Sequence, residues 1–106
     1  MFTDVIENHV ARGAINALQN GDVEAWRSYF AEHAELFDDG RPRNLKAFTS
    51  ETLGHERFRS IDKIENGGLS LEGEFHSDTW GDFRTYFRFT LNEHGKITRL
   101  EIGQAD

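Results

Sequence analysis

Residues 69–103, with the sequence LSLEGEFHSDTWGDFRTYFRFTLNEHGKITRLEIG, decide the fold because apolar and polar side chains alternate along them. Alternation with a period of two is typical of strands that bury one face. Turn-forming residues interrupt it at Trp80-Gly81-Asp82 and again at His94-Gly95. The pattern therefore predicts an antiparallel meander of three strands, over residues 69–79, 83–91 and 97–103.

The two turns also predict which residues face each other. With a three-residue loop at 80–82 and a two-residue loop at 94–95, apolar side chains meet on one face and opposite charges on the other. The expected apolar pairs are Phe75–Phe87, Leu71–Leu91, Phe87–Ile102 and Phe89–Leu100, and the expected outer row is Glu74, Arg88 and Glu101. A shift by one residue would destroy both patterns, so they select one register.

The chain before residue 69 adds helices and two further strands. Apolar residues recur at helical spacing from Ile6 to Leu18, with Thr3 or Asp4 as the expected cap, and Asn20-Gly21-Asp22 separates this helix from a second one. The other predicted elements are a helix over 23–30, a strand over 34–38, a helix over 44–53 and a strand over 58–65. This order predicts an α+β fold in which a curved antiparallel sheet packs on N-terminal helices.

Composition excludes several classes of protein. The length of 106 residues fits one domain, residues 1–106, and nine Phe residues make the chain too aromatic to be disordered. Without Cys there is no disulfide framework and no thiolate metal site. A net charge of -7 makes nucleic acid and anionic membranes poor partners. Since the first residues lack the basic start and apolar stretch of a signal peptide, we expect a cytoplasmic protein.

Four segments of the sequence resemble the nuclear transport factor 2-like (NTF2-like) superfamily. They are NGDVEAW at 20–26, FAEHAEL at 30–36, DDG at 38–40 and NEHGKI at 92–97. That superfamily includes ketosteroid isomerases and SnoaL-like polyketide cyclases, and its fold is a curved sheet wrapped around a long helix to form a cone with an apolar pocket. Because its members include enzymes as well as binding and dimerising modules, the resemblance implies a fold and leaves the activity open.

The catalytic residues of the resembled isomerases can be compared with this chain one at a time. The resemblance places their general base at Asp38. Their helix-one tyrosine, an oxyanion donor, corresponds to Ala14, and their second donor, a protonated carboxylic acid, corresponds to Phe87. The base position is therefore kept and both donor positions lack a hydrogen-bonding side chain.

Asp38 is the leading candidate for chemistry. It shares a strand parity with Leu36, so it points into the cone if Leu36 points into the core. An apolar cone would raise the pKa of the Asp38 carboxyl and make it a competent proton acceptor near neutral pH. The alternative is that Asp38-Asp39-Gly40 is an ordinary solvated turn.

Asp62 is a second candidate for the pocket, on the alternation of side chains along its strand alone. If residues 58–65 form one regular strand, Asp62 lies on the inner face with Phe58 and Ile64, and it needs a partner or a proton. A bulge that turns Ile61 inward and Asp62 outward is the alternative.

Aromatic side chains complete the expected pocket. Trp26 is expected to close the base or wall of the cone, and Phe75, Phe87 and Phe89 to line its inner sheet face. So many rings could instead fill the cone, which argues against a large substrate. A cavity of about 300 Å³ or more beside Asp38 is what a small-molecule site requires.

Two hypotheses of different class follow. The first is a binding module for a small apolar ligand, and the second is an isomerase- or cyclase-type enzyme that uses Asp38 as general base on a small apolar carbonyl compound. The five His residues form no metal-binding motif and no nucleotide or phosphate loop is present, so we expect neither a metal nor a cofactor. The resemblance implies a homodimer formed through the outer sheet face, where His76, Tyr86 and Trp80 are expected among charged residues.

Overall fold

The computed structural model describes residues 2–105. The helices and strands in this range are α1 (His9–Asn20), α2 (Val23–Ser28), β1 (Phe30–Asp38), β2 (Arg41–Arg43), α3 (Leu45–Thr52), β3 (Glu56–Phe58), β4 (Lys63–Glu65), β5 (Ser70–Ser77), β6 (Gly81–Leu91) and β7 (Ile97–Gln104). Short 3₁₀ turns occupy Phe2–Val5 and Asn66–Gly68. Within residues 2–105, every helix is too short or too polar to cross a membrane.

Helix α1 begins later than the sequence predicted and ends where it predicted. Its N-cap is Asn8, whose side-chain oxygen accepts hydrogen bonds from two N–H groups of the first turn. The expected caps Thr3 and Asp4 lie in the preceding 3₁₀ turn. At the other end Gly21 has a φ of 66°, the left-handed conformation that closes a helix, and Asp22 caps α2.

The strands form one sheet in the order β2-β1-β7-β6-β5-β3, and β4 pairs with β5. Every pair is antiparallel except β1 with β7, which is parallel. The α+β prediction is confirmed, but the expectation of a wholly antiparallel sheet is wrong for this pair. No hairpin joins β1 to β7, so turn signals could not report their relative direction.

The register between β5 and β6 differs from the prediction. Ser77 pairs with Gly81, so the loop is Asp78-Thr79-Trp80 and Phe75 faces Phe83, where Phe87 was expected. The Ser77 hydroxyl oxygen accepts hydrogen bonds from the N–H groups of Thr79 and Trp80, and Gly81 has a φ of 79°, as in a three-residue hairpin that ends on a left-handed glycine.

This displacement changes which residues pair across β5 and β6, but every side chain stays on the face of the sheet that was predicted for it. Glu74 faces Arg84 and lies away from Arg88, so the expected row of Glu74, Arg88 and Glu101 is broken at Glu74. Phe87 remains buried and Arg88 remains exposed, because the loop moves by two residues and strand parity is conserved.

The register between β6 and β7 is confirmed. Phe87 faces Ile102, and Arg88 faces Glu101. The loop has three residues, not two, because the N–H of Asn92 donates to the carbonyl of Lys96. An irregularity between Thr90 and Leu91 restores the predicted pairing farther along the strands.

The expected strand over residues 58–65 is broken at 59–62. That segment passes directly over Gly73 of β5, where an added Cβ would overlap the carbonyl of Ser60. Ile61 packs against the core, and Asp62 is exposed and bonded to the guanidinium of Arg84. The inward orientation expected for Asp62 is therefore wrong. The strand is interrupted between β3 and β4, and this interruption turns Ile61 inward and Asp62 outward, as the alternative had it.

The core lies between α1 and the inner face of the sheet. Ala14, Ile15 and Leu18 supply the helix side, and all are at most 1% exposed. On the sheet side the Phe58 ring lies 5.0 Å from that of Phe75 and 5.1 Å from that of Phe87, measured between centroids. A continuous aromatic cluster therefore fills part of the space that the sequence suggested as a cone.

Candidate functional site

A cleft of about 630 Å³ lies beside Asp38, where the ends of β1 and β7 meet the loop between β5 and β6. Its volume is well above the ~300 Å³ at which small-molecule sites begin. Its apolar wall consists of Phe48, Phe75, Phe83, Phe87 and Ile102. Its charged lining consists of Asp38, Asp39, Arg43, Glu56 and Asp82. The cleft thus sets an aromatic surface against a small group of charges.

Asp38 points toward this cleft because of its place in β1. It pairs with Ile102 of β7 and shares the face of the buried Leu36. Nη1 of Arg43 donates to Asp38 Oδ2 at 2.8 Å, and Nη2 of Arg43 lies 3.5 Å from Glu51 Oε2. Oδ1 of Asp38 makes no hydrogen bond within residues 2–105. The carboxylate therefore has one oxygen held by Arg43 and one available to a ligand.

The pairing of Asp38 with Arg43 follows from the turn between them. Asp39 and Gly40 have φ values of 50° and 83°, so the chain reverses and returns as β2. Arg43 then lies beside β1, and its guanidinium carbon sits 5.0 Å from the centre of the Phe48 ring. This cation–π contact holds the guanidinium between the carboxylate and the aromatic wall.

Glu56 is the second ionisable group of the cleft whose position matters. It pairs with Ser77 across β3 and β5, and the Ser77 hydroxyl donates to Glu56 Oε2 at 3.1 Å. Burial raises the pKa of the Glu56 carboxyl, while the Ser77 hydrogen bond and the charge of Arg43 partly oppose this. A carboxyl with a raised pKa can exchange a proton nearer to neutral pH than an exposed one.

The Ser77 side chain links Glu56 to the rim of the cleft. Its hydroxyl is buried, and while it donates to Glu56 its oxygen accepts from the N–H groups of Thr79 and Trp80. The ring of Trp80 lines the cleft and is 78% exposed. The network therefore positions a large, solvated aromatic side chain at the entrance.

The structure brings together half of the residues expected at the site. Asp38, Phe75 and Phe87 line the cleft. Phe89 is buried in the core against Phe87, 6.2 Å between ring centroids, and does not line the cleft. The other two expected residues, Trp26 and Asp62, lie elsewhere: Trp26 lines a separate cavity, and Asp62 is on the solvent side of the sheet.

The two positions at which the resemblance would place isomerase oxyanion donors are both buried and apolar. Ala14 is fully buried, and Phe87 is 1% exposed. Thr85, which does line the cleft, donates its hydroxyl hydrogen to the carbonyl of Gly103 at 2.6 Å. The cleft therefore lacks the oxyanion donors of the resembled isomerases at their own positions.

Arg43, Glu56 and Trp80 are three of the cleft residues that were not among those expected from the sequence. No role at the site was predicted for Arg43 or Glu56. Trp80 was placed in a turn on the outer face. The alternation of side chains along β2 could have indicated that Arg43 lies on the same face as Asp38. No local sequence pattern predicts the burial of Glu56, because that burial depends on the position of the β5–β6 loop.

This chain matches solved structures of known proteins, but its sequence matches no family model or curated protein. Among solved structures, an NTF2-like protein of unknown function from Cytophaga hutchinsonii superposes with a TM-score of 0.73 at 14% identity, covering 91% of this chain and 87% of that one. The chain has the nuclear transport factor 2-like fold.

Other proteins with this fold differ in what they do. A protein from Sinorhizobium meliloti with a provisional polyketide cyclase assignment superposes with a TM-score of 0.73 at 17% identity, covering 96% of this chain and 98% of that one. The Orange Carotenoid Protein of Anabaena, solved with bound canthaxanthin, has the same TM-score at 20% identity. This chain covers only 35% of the carotenoid protein. At these identities the likeness establishes the fold alone.

Proposed function

We propose that this NTF2-like domain binds a small, largely apolar molecule in the cleft beside Asp38, without a cofactor. One observation carries the proposal: a cleft of about 630 Å³ sets four phenylalanine rings against the Asp38–Arg43 pair. Small-molecule sites combine an apolar lining with a few polar groups that fix orientation. The carotenoid bound by one protein of the same fold supports an apolar ligand in general, without naming it.

The charges of the cleft define the chemistry of the ligand further. Among the described residues that line the cleft, Asp38, Asp39, Glu56 and Asp82 supply carboxyl groups and Arg43 is the one Arg or Lys, although Arg59 pairs with Asp82 from outside the lining. An anionic ligand would be repelled here, because like charges in a partly desolvated site are costly. The ligand we propose is therefore neutral, with an apolar body and one hydroxyl or carbonyl group that meets Asp38 or Arg43.

A panel of neutral ketones and polyketide-like fragments, with 2-tetralone as the first probe, tests this proposal by calorimetry. We expect micromolar to millimolar binding, and Asp38→Asn and Glu56→Gln should each change the Kd several-fold. Glu65→Gln, an exposed carboxyl on β4, is the matched control and should leave the Kd unchanged. Absence of binding across the panel at millimolar concentration, or equal effects of all three variants, would contradict the proposal.

The second candidate is an enzyme that uses Asp38 as general base. The Oδ1 oxygen of Asp38 favours it, because Asp38 lines the cleft and this oxygen, which makes no hydrogen bond within residues 2–105, could accept a proton from a carbon next to a carbonyl. In this account Glu56 acts as the proton donor to the enolate oxygen, since burial raises its pKa. The proton taken by Asp38 then returns to carbon while the enol O–H gives its proton back to Glu56, so the step is an isomerisation, and deuterium enters when the proton held by Asp38 exchanges with D₂O before it returns.

Deuterium exchange at the α-carbons of 2-tetralone, followed by NMR in D₂O, tests the enzyme candidate. Catalysed exchange that falls roughly a hundredfold or more in Asp38→Asn would support it. If 2-tetralone binds but its α-carbons exchange no faster with the protein than in buffer, the enzyme candidate is contradicted and ligand binding is the function.

A further inference from the structure

A second cavity, of about 650 Å³, lies on the other side of the Phe48 region, between α2, the start of β1 and the start of α3. Its floor is apolar: Trp26 is fully buried beneath it, and the Phe30 ring packs against Trp26 in a tilted arrangement with centroids 4.8 Å apart. Leu45 and Val23 extend this floor, and Val23 is 40% exposed. An exposed valine at the edge of an aromatic floor leaves apolar surface that a ligand could cover.

The rim of this cavity carries two cationic side chains that have no partner among the described residues. Arg27 on α2 and Lys46 on α3 line it, and within residues 2–105 neither side chain forms an ion pair or a hydrogen bond. His33 also lines the cavity, and Glu32 is its one carboxylate. In a chain with a net charge of -7, this is a local excess of positive charge over an apolar floor.

We propose that this second cavity binds a small organic anion with an aromatic or branched aliphatic body. The body lies on Phe30 and Leu45, above the buried Trp26, and the carboxylate or sulfonate meets Arg27 and Lys46. Unpaired cations beside an apolar floor favour such an amphiphile because both of its parts find complementary surface. The inference is independent of the proposed function, whose cleft disfavours anions and lies beside Asp38.

The two Trp residues of the chain report on the two cavities separately. Trp26 lies under the second cavity, where its indole Nε1–H donates to Thr49 Oγ1 at 3.0 Å, and Thr49 also lines that cavity. Trp80 lines the cleft beside Asp38. In a ¹H–¹⁵N spectrum the two indole signals can be assigned with Trp80→Phe, because Trp80 is exposed and its replacement leaves the core intact.

The test is a titration of the full chain with 2-naphthoate, followed through both indole signals. We expect the Trp26 signal to shift and the Trp80 signal to stay in place. The neutral analogue 2-naphthalenemethanol should bind the same cavity about tenfold or more weakly, because it lacks the charge that Arg27 and Lys46 recognise. Raising the salt concentration should weaken the binding of 2-naphthoate and leave that of the alcohol unchanged.

Variants of the rim make the test specific. Arg27→Met and Lys46→Met each keep the apolar part of the side chain and should raise the Kd of 2-naphthoate about threefold to tenfold, whereas Glu32→Gln should lower it. Lys63→Met, on β4 and outside the cavity, is the matched control and should have no effect. All four positions are exposed, so folding is retained.

Three outcomes would overturn the proposal. One is equal affinity for the acid and the alcohol, another is a shift of the Trp80 signal in place of the Trp26 signal, and the third is no shift at millimolar 2-naphthoate. Failure of the proposed function would instead show as absence of 2-tetralone binding at Trp80, so the two results are distinguishable.

Discussion

At the scale of single residues, Glu56 is a carboxyl group whose pKa the fold raises. Its pKa is raised above the ordinary value of 4.5, mainly because burial disfavours the charged form. The folded state therefore holds this proton at pH values where the unfolded chain has released it. The resulting contribution to stability is present at low pH and is lost as the pH rises from about 4.5 through the folded pKa.

Glu56→Gln tests this directly, since Gln has the shape of the neutral carboxyl and does not ionise. We expect the free energy of unfolding of the wild type, relative to that of the variant, to fall as the pH is raised from 4 to 8. Urea denaturation at intervals across that range measures it, with Glu65→Gln as an exposed control. Parallel pH profiles for wild type and Glu56→Gln would show that the carboxyl is not perturbed.

Phe87 is the residue on which the aromatic cluster depends. It is 1% exposed, and its ring lies within about 6 Å of the rings of Phe58, Phe75 and Phe89. Phe87→Ala should lower the free energy of unfolding by about 3–5 kcal/mol, because the cavity it leaves cannot collapse fully. Chemical denaturation measures this, with Thr90→Ala on the exposed face of β6 as control. A loss below ~1 kcal/mol would contradict the inner position of Phe87.

At the scale of elements, the crossing of residues 59–62 over β5 shapes one edge of the sheet. Gly73 allows it, because any side chain there would meet the backbone of Ser60 and Ile61. The crossing also sends Asp62 outward to Arg84. A close approach of two backbone segments, not turn geometry, is therefore what requires this glycine.

Gly73→Ala should force that crossing segment away from the sheet. We expect a loss of about 1–3 kcal/mol in the free energy of unfolding, as for other substitutions that overfill a packed site. The loss should be read from a denaturation midpoint, and Ser70→Ala on the same strand should cause almost none. If Gly73→Ala were as stable as the wild type, the segment would have to be freer to move than this packing implies.

The sequence predicted the elements better than the loops that join them. Side-chain parity placed Phe75 and Phe87 on the inner face, where both are buried, because a buried sheet face enforces alternation over many residues. The predicted register of β5 with β6 was wrong because several hairpin loops fit residues 78–82. The hydrogen bonds that the Ser77 hydroxyl makes to one of these loops cannot be predicted from the alternation of apolar residues. The burial of Glu56 depends on that same loop and could not be predicted before it.

At the scale of the whole molecule, the outer face of the sheet remains the expected surface for a second copy. Tyr86 lies there with Arg88, whose guanidinium carbon is 4.4 Å from the centre of the Tyr86 ring, and Glu101 faces Arg88 from β7. An interface on this face would be rich in charge and hence sensitive to salt.

We therefore propose a homodimer that weakens as salt is added. Light scattering at micromolar concentration and low salt should give twice the mass of the chain, and Arg88→Glu should shift the protein toward monomer. Thr98→Ala, at a partly exposed position of the neighbouring strand β7, serves as a control for stability. A monomer mass at low and moderate salt alike would contradict the proposal.

The central claim is that the cleft beside Asp38 is a ligand site, and amide chemical-shift mapping with 2-tetralone tests it most directly. The account predicts that shifts concentrate on Glu56, Phe75, Thr85 and Gly103, together with the Trp80 indole, which all line the cleft. Two results would contradict the claim. One is that the shifted signals lie only on the outer face of the sheet, and the other is that neither millimolar 2-tetralone nor related apolar ketones shift any signal.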